Sequence, residues 1–123
     1  MTFEREQLSA IVVLAIAMSV ADGRVAQNEV NAISLELANL NDDPKDAPLV
    51  MTLAKTMGQD RALSIIRQMN LNQKKYVTGF LASIMAADGN IDDSEIKMWS
   101  LISYLADLPP MTVGEAITFW ASR

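Results

Sequence analysis

The feature that most constrains the fold of this chain is a repeat. Displacing the sequence by 66 residues lays "SVADGRVAQNEV" (19–30) on "MAADGNIDDSEI" (85–96). Ala21, Asp22, Gly23 and Glu29 recur as Ala87, Asp88, Gly89 and Glu95, and Ser34-Leu35 recurs as Ser100-Leu101. Val25 and Val30 face Ile91 and Ile96. The pairs from Ala10/Tyr76 to Leu40/Ala106 hold 6 identities, against about two expected at average composition. Around each Asp-Gly pair, apolar residues recur at intervals of three and four, and no segment alternates with period two for long. Each unit therefore reads as a long apolar helix, a tight turn and a second helix. The expected fold is all-α, a compact bundle of about seven helices in one domain spanning 1–123. Within it, two hairpins (10–40 and 76–106) pack about a pseudo-two-fold axis.

The spacing predicts helices over 3–21, 27–40, 47–57, 59–69, 72–87 and 93–106. The turn cluster "NLNDDPKDAP" ends the second, Gly58 is expected as the C-terminal glycine of the third, and "NLN" (70–72) separates the fourth from the fifth. Pro109-Pro110 breaks the chain, and Thr112 with Glu115 forms a capping box for a last helix. The run "LSAIVVLAIAMSVA" (8–21) is too short to span a bilayer. It imitates the apolar core of a signal peptide, with "SVA" at the cleavage position. Yet Glu4 and Glu6 outnumber Arg5 ahead of it, so the positive leader region is missing. Its alignment with an internal helix also favours a buried helix.

Composition narrows the chemistry. The chain has neither cysteine nor histidine. That excludes disulfides, iron–sulfur clusters, a Cys/His zinc site and any histidine-activated nucleophile. It fits a reducing, cytoplasmic setting. No organic cofactor motif is evident. The net charge of −5 disfavours nucleic acid as the main partner. Basic residues gather at Arg61, Arg67, Lys74 and Lys75 with no acid among 61–75, a candidate partner surface or a solvated helix face.

Asp88, Asp92, Asp93 and Glu95 crowd the second turn. An EF-hand loop with Gly89 at its sixth position places Asp88 fifth and Glu95 twelfth. Its first and third ligands would be Ile84 and Ala86, and Met18 and Val20 in the first repeat, none with a side-chain oxygen. A true EF-hand is excluded. Helix punctuation explains more: Gly23 and Gly89 end the incoming helices, and Asp92 caps the next helix with Glu95 reaching back. In the first repeat, however, Ala26 replaces Asp92 and cannot cap, while Glu29 is kept. Asp22 and Asp88 also sit at helix C-termini, where the dipole disfavours negative charge. A cation held by Asp22, Glu29, Asp88 and Glu95 would offset that cost. Oxygen-only ligands point to Ca²⁺, Mg²⁺ or Mn²⁺, in one shared site or two.

The sequences "VADGRVAQNEV" and "AADGNIDDSEI" resemble the motif of the TerB-like family of tellurite-resistance proteins, in which A-D-G-x-hydrophobic-x-x-x-E closes a helical hairpin. The resemblance covers most of the chain. It implies a seven-helix bundle, usually cytoplasmic, with an acidic metal-binding surface and association with other stress-response proteins, some at the membrane. By carry-over, Asp22, Glu29, Asp88 and Glu95 would face the metal. Ala26 departs from the more acidic versions of the motif. Without cysteine, the chain cannot reduce tellurite through thiols.

Three readings follow. The leading one is a non-enzymatic cation-binding adaptor for stress response or signalling, taking Ca²⁺ or Mg²⁺. The second is a metal-free protein-interaction domain whose Asp-Gly turns are structural. The third, a carboxylate-based hydrolase, needs a cleft and an aromatic platform that the scattered aromatics do not suggest. Met18, Met69, Met85 and Met98 are expected in the core. Trp99 and Trp120 are expected to anchor the last two helices, with Trp120 the better candidate for an exposed interface.

Overall fold

Helix α1 (Arg5–Ser19) is the element that the others wrap. Every residue from Leu8 to Ala15 is buried, so the helix is apolar all round and needs neighbours on each side. The computed structural model describes residues 3–19, 33, 46–86, 91 and 93–122. Helices α2 (Asp46–Thr56) and α3 (Gln59–Arg67) lie most extensively along α1, and α4 (Leu71–Met85) and α5 (Asp93–Leu105) also pack on it. Helix α6 (Val113–Ser122) packs on α4. Among the described residues there are six helices and no strand. The expected helix over 27–40 lies outside them except for Ile33, which is helical and buried.

The bundle follows from the apolar spacing. Ile11, Leu14 and Met18 of α1 meet Ile66 of α3 and Leu81, Ile84 and Met85 of α4 in one core cluster. Met69 is buried and Met98 is half-buried against the same cluster. Helices α1 and α4 are each fifteen residues long, and the 66-residue displacement carries Arg5 onto Leu71 and Ser19 onto Met85. The apolar 8–15 run is thus a central core helix. Its one polar member before Ile16, Ser9, is fully buried and places Oγ 2.9 Å from the Arg5 carbonyl and 3.1 Å from the Val50 carbonyl. One hydroxyl proton is thereby shared between α1 and α2.

Helix ends follow local chemistry. Gln7 Oε1 accepts from the Glu4 N–H at 2.8 Å at the start of α1. Asn70 and Gln73 form a reciprocal capping box at α4, with N···O distances of 2.9 and 3.1 Å. The Thr112–Glu115 box at α6 forms as the spacing predicts, at 2.9 and 3.1 Å. Gly58 departs from expectation. It does not close α2 in a left-handed conformation; it is the N-cap of α3, with φ −73° and ψ 157°. Only Met57 and Gly58 separate the two helices, so Gly58's carbonyl takes the first bond of α3, from Ala62 N at 3.1 Å.

Among the described non-glycine residues, the one in a left-handed conformation is Asp107, at φ 54°. Leu108 N donates to the Ser103 carbonyl at 2.9 Å and Asp107 N to the Tyr104 carbonyl at 3.3 Å. This is the Schellman closure of α5, with buried Leu108 as its apolar contact. Two cations support it: Arg67 Nη1 donates to the Leu105 carbonyl at 2.9 Å, and Lys74 Nζ lies 3.3 Å from Asp107 Oδ2. Both oppose the negative end of the helix.

Trp120 also differs from expectation. Rather than standing open at an interface, it is half-buried in an aromatic cluster, 4.9 Å edge-on from Tyr76 and 5.6 Å from Phe80 between ring centroids. Phe3 joins this cluster through Tyr76 at 5.3 Å. Trp99 is buried, as expected of an anchor.

Candidate cation site at the Asp-Gly turns

The second turn is entered from α4 and left through α5. Ala86 is the C-cap of α4, its N–H bonded to the Ala82 carbonyl at 3.2 Å. Ile91 then seats against the core, and α5 begins at Asp93. Glu95 lies in the first turn of α5 and is 3% exposed. It shares full burial with only two other polar residues among those described, Ser9 and Thr78. Its Oε2 atom is enclosed away from solvent, whereas neighbouring Asp93 is exposed.

That contrast matters energetically. An acid in the first turn of a helix is favoured by the dipole even when exposed, which accounts for Asp93. A carboxylate taken into the interior loses hydration and needs donors or a cation to compensate. Glu95 is therefore placed differently from a surface helix-starting acid. Asp22, Gly23, Glu29, Asp88, Gly89 and Asp92 lie outside the described residues, so the geometry of the full set and the expected Asp92 cap are not among the features described. Among the described residues no group of three or more acids gathers in metal-binding geometry. The donor chemistry of the four candidates, oxygen only and fourfold anionic, fits a hard divalent cation and no softer one.

Three of the four basic residues of 61–75 make contacts within the chain. Arg61 Nη2 pairs with Glu6 Oε2 at 3.1 Å, joining α3 to α1. Arg67 and Lys74 close the end of α5 as above. Lys75 is half-buried. Two of the clefts among the described residues have defined linings. One of about 370 Å³ is lined by Val13, Ile16, Met51, Ala54, Met57 and their neighbours. The other, of about 310 Å³, is lined by Trp99, Tyr104, Leu108, Pro109, Pro110 and Met111 among others. Neither lining includes a carboxylate.

Sequence reasoning missed three features. The Asn70–Gln73 box was legible as N-x-x-Q ahead of an apolar run. The left-handed Asp107 carries no sequence signal beyond the asparagine-like tolerance of aspartate. The exposure of Tyr104, at 82%, has none at all.

Comparison with known proteins adds three findings. The family model described as Tellurite resistance protein TerB matches residues 8–117. No curated protein matches the chain. Among solved structures, a crystal structure of a protein of unknown function from Porphyromonas gingivalis W83 is 36% identical, with a TM-score of 0.86 over 100% of this chain and 99% of that one.

Proposed function

Because this chain belongs to the TerB family of tellurite-resistance proteins, we propose that it is a non-enzymatic helical domain that binds a divalent cation through its duplicated Asp-Gly turns and serves as a stress-response or signalling adaptor. The observation that carries this reading is Glu95: a carboxylate kept in both repeats and, in the second, drawn almost wholly out of water. Asp22, Glu29 and Asp88 complete the ligand set. The cation, Ca²⁺ or Mg²⁺, supplies charge compensation rather than chemistry. It would offset the negative charge that the sequence places a few residues past the C-termini of α1 and α4, at Asp22 and Asp88, and tie each incoming helix to the outgoing one. A two-helix hairpin clamped in this way has a cation-dependent surface, which is what a protein partner would read. Partners are other proteins, some of them membrane-associated.

The structural-turn reading keeps one supporting observation: Glu95 occupies the position from which a capping glutamate reaches back to its N-cap. Thermal melting in Ca²⁺ and Mg²⁺ separates the two. A ligand specific for the folded state stabilises it by about 2.7 kcal/mol at one hundred times its Kd. With roughly 2.1 cal/mol/K of unfolding entropy per residue, the 123-residue chain gains about 4 °C of Tm per kcal/mol, so a rise of about 10 °C is expected. Asp22→Asn/Asp88→Asn should abolish the rise. No shift at millimolar metal, or an equal shift in the double variant, refutes cation binding.

A further inference from the structure

Helix α5 presents an exposed apolar stripe that is not covered among the described residues. Leu101 is 50% exposed, Tyr104 82% and Leu105 39%. Their i, i+3, i+4 spacing places them on one helical face, and exposed Lys97 extends that face by one turn toward the N-terminus. Just past the C-terminus stands Asp107, its side chain 73% exposed although it already pairs with Lys74. Along the axis the surface therefore reads cation, apolar stripe, anion. Side chains spaced like this, exposed on an otherwise soluble helix, mark an association surface rather than stray apolar residues.

The geometry points to a second copy of this chain as the occupant, with the two α5 helices packed antiparallel across a two-fold axis. The charge pattern selects this arrangement. A two-fold interface sets residue i against j and j against i. An axis passing between residues 102 and 103 brings Leu101 of one copy against Tyr104 of the other, twice. The same register sets Lys97 opposite position 108. That position lies just past the C-terminus of the other copy's α5, beside its exposed Asp107. One register thus satisfies both apolar contacts and both ion pairs. A parallel arrangement would oppose Lys97 to Lys97. Lys74, the internal partner of Asp107, is only 12% exposed, so the outer side of the Asp107 carboxylate is left for a cation from outside.

The patch is small beside the roughly 800 Å² per partner of a stable dimer. The net charge of −5 also opposes approach until the copies are within a Debye length of about 10 Å at 0.1 M salt. The expected assembly is therefore weak and concentration-dependent, and its formation does not depend on the bound cation.

Sedimentation equilibrium of the full chain tests this. The average mass should rise from one chain toward two between about 10 µM and 1 mM. Lys97→Glu should remove the rise by opposing two acids twice, and Asp107→Lys should remove it by opposing two lysines twice. An equimolar mixture of the two variants restores both ion pairs across the axis and should restore association. Tyr104→Ser, at a side chain that is almost fully exposed, should weaken association at least tenfold while leaving the circular dichroism unchanged. A wild-type chain that stays monomeric to 1 mM would assign the stripe to another protein's helix and overturn the proposal. So would a dimer indifferent to both charge variants, or a mixture that fails to recover.

Discussion

A methyl group added at Gly79 would sit 3.3 Å from Phe119 Cδ1, 3.3 Å from Trp120 Cε3 and 3.4 Å from the Ala116 carbonyl oxygen. Gly79 lies in the middle of α4, where glycine costs about 1 kcal/mol relative to alanine, so its presence reflects the close approach of α6. The effect of substitution can be worked from these distances. Gly79→Ala recovers about 1 kcal/mol of helix propensity but needs two rings to move by a few tenths of an ångström. The two terms are of similar size, and the expected change is within about 1 kcal/mol of zero. Gly79→Val recovers only about 0.4 kcal/mol of propensity. Its two further methyl groups meet the same rings and a backbone carbonyl that moves only if α6 moves. Overpacking of 1–3 kcal/mol applies, toward its upper end, for a net loss of about 2 kcal/mol. At about 4 °C per kcal/mol for a chain of this length, Tm should fall by about 8 °C. The assay is thermal and urea unfolding of wild type, both variants and each combined with Trp120→Ala. Removing the indole relieves one of the three contacts, so Gly79→Ala should turn clearly more favourable in that background, a coupling of at least 0.5 kcal/mol. Additive effects, or Gly79→Val melting within 2 °C of wild type, would refute the close-approach explanation.

Two further outcomes follow from the helix ends. Gly58 caps α3 in an extended conformation any residue adopts, with no atom within 4 Å of an added Cβ and no side-chain cap; Gly58→Ser should therefore stabilise the chain by about 0.5–1 kcal/mol in urea unfolding, through the lost freedom of the unfolded glycine and the new cap. The Thr112 backbone N–H, and then its hydroxyl, hold the Glu115 carboxyl below the ordinary glutamate range. The folded state thus binds that proton less readily than the unfolded one, so the contribution is complete above the ordinary range and is lost as pH falls through the lowered value. A carboxyl NMR titration should place the Glu115 midpoint below the ordinary glutamate range, and Thr112→Ala, which removes the hydroxyl but keeps the backbone N–H, should raise it only part of the way back.

Much of the fold is legible because helices of this kind are specified locally. The 3–4 spacing, Pro109-Pro110 and the Thr112–Glu115 box locate α5, its end and the start of α6 to within a residue or two. Gly58 shows where this reasoning weakens. A glycine between two helices serves equally well as the stop of one or the start of the next, and the choice falls to how α2 and α3 both lie against α1. Trp120 shows the same dependence: its size marks it as an anchor, but only the arrival of Tyr76 and Phe80 beside it decides that it is half-buried. At the candidate site, the repeat distinguished Glu95 from the acids around it, and its burial bears on the same residue. Asp93, two residues earlier, looks equivalent in sequence and lies in water.

By itself the sequence determined the helical class and the oxygen-only chemistry left to a chain without cysteine or histidine. These depend on residue type and on spacings of a few positions, which the backbone reads locally. Only the tertiary structure decided that 8–15 is the wrapped core helix, that Gly79 admits α6, and that Arg61, Arg67 and Lys74 are engaged within the chain. It alone left Leu101, Tyr104 and Leu105 uncovered. Burial is a property of what arrives from far along the chain, and an apolar face at helical spacing is written the same way whether a neighbour covers it or a second molecule must.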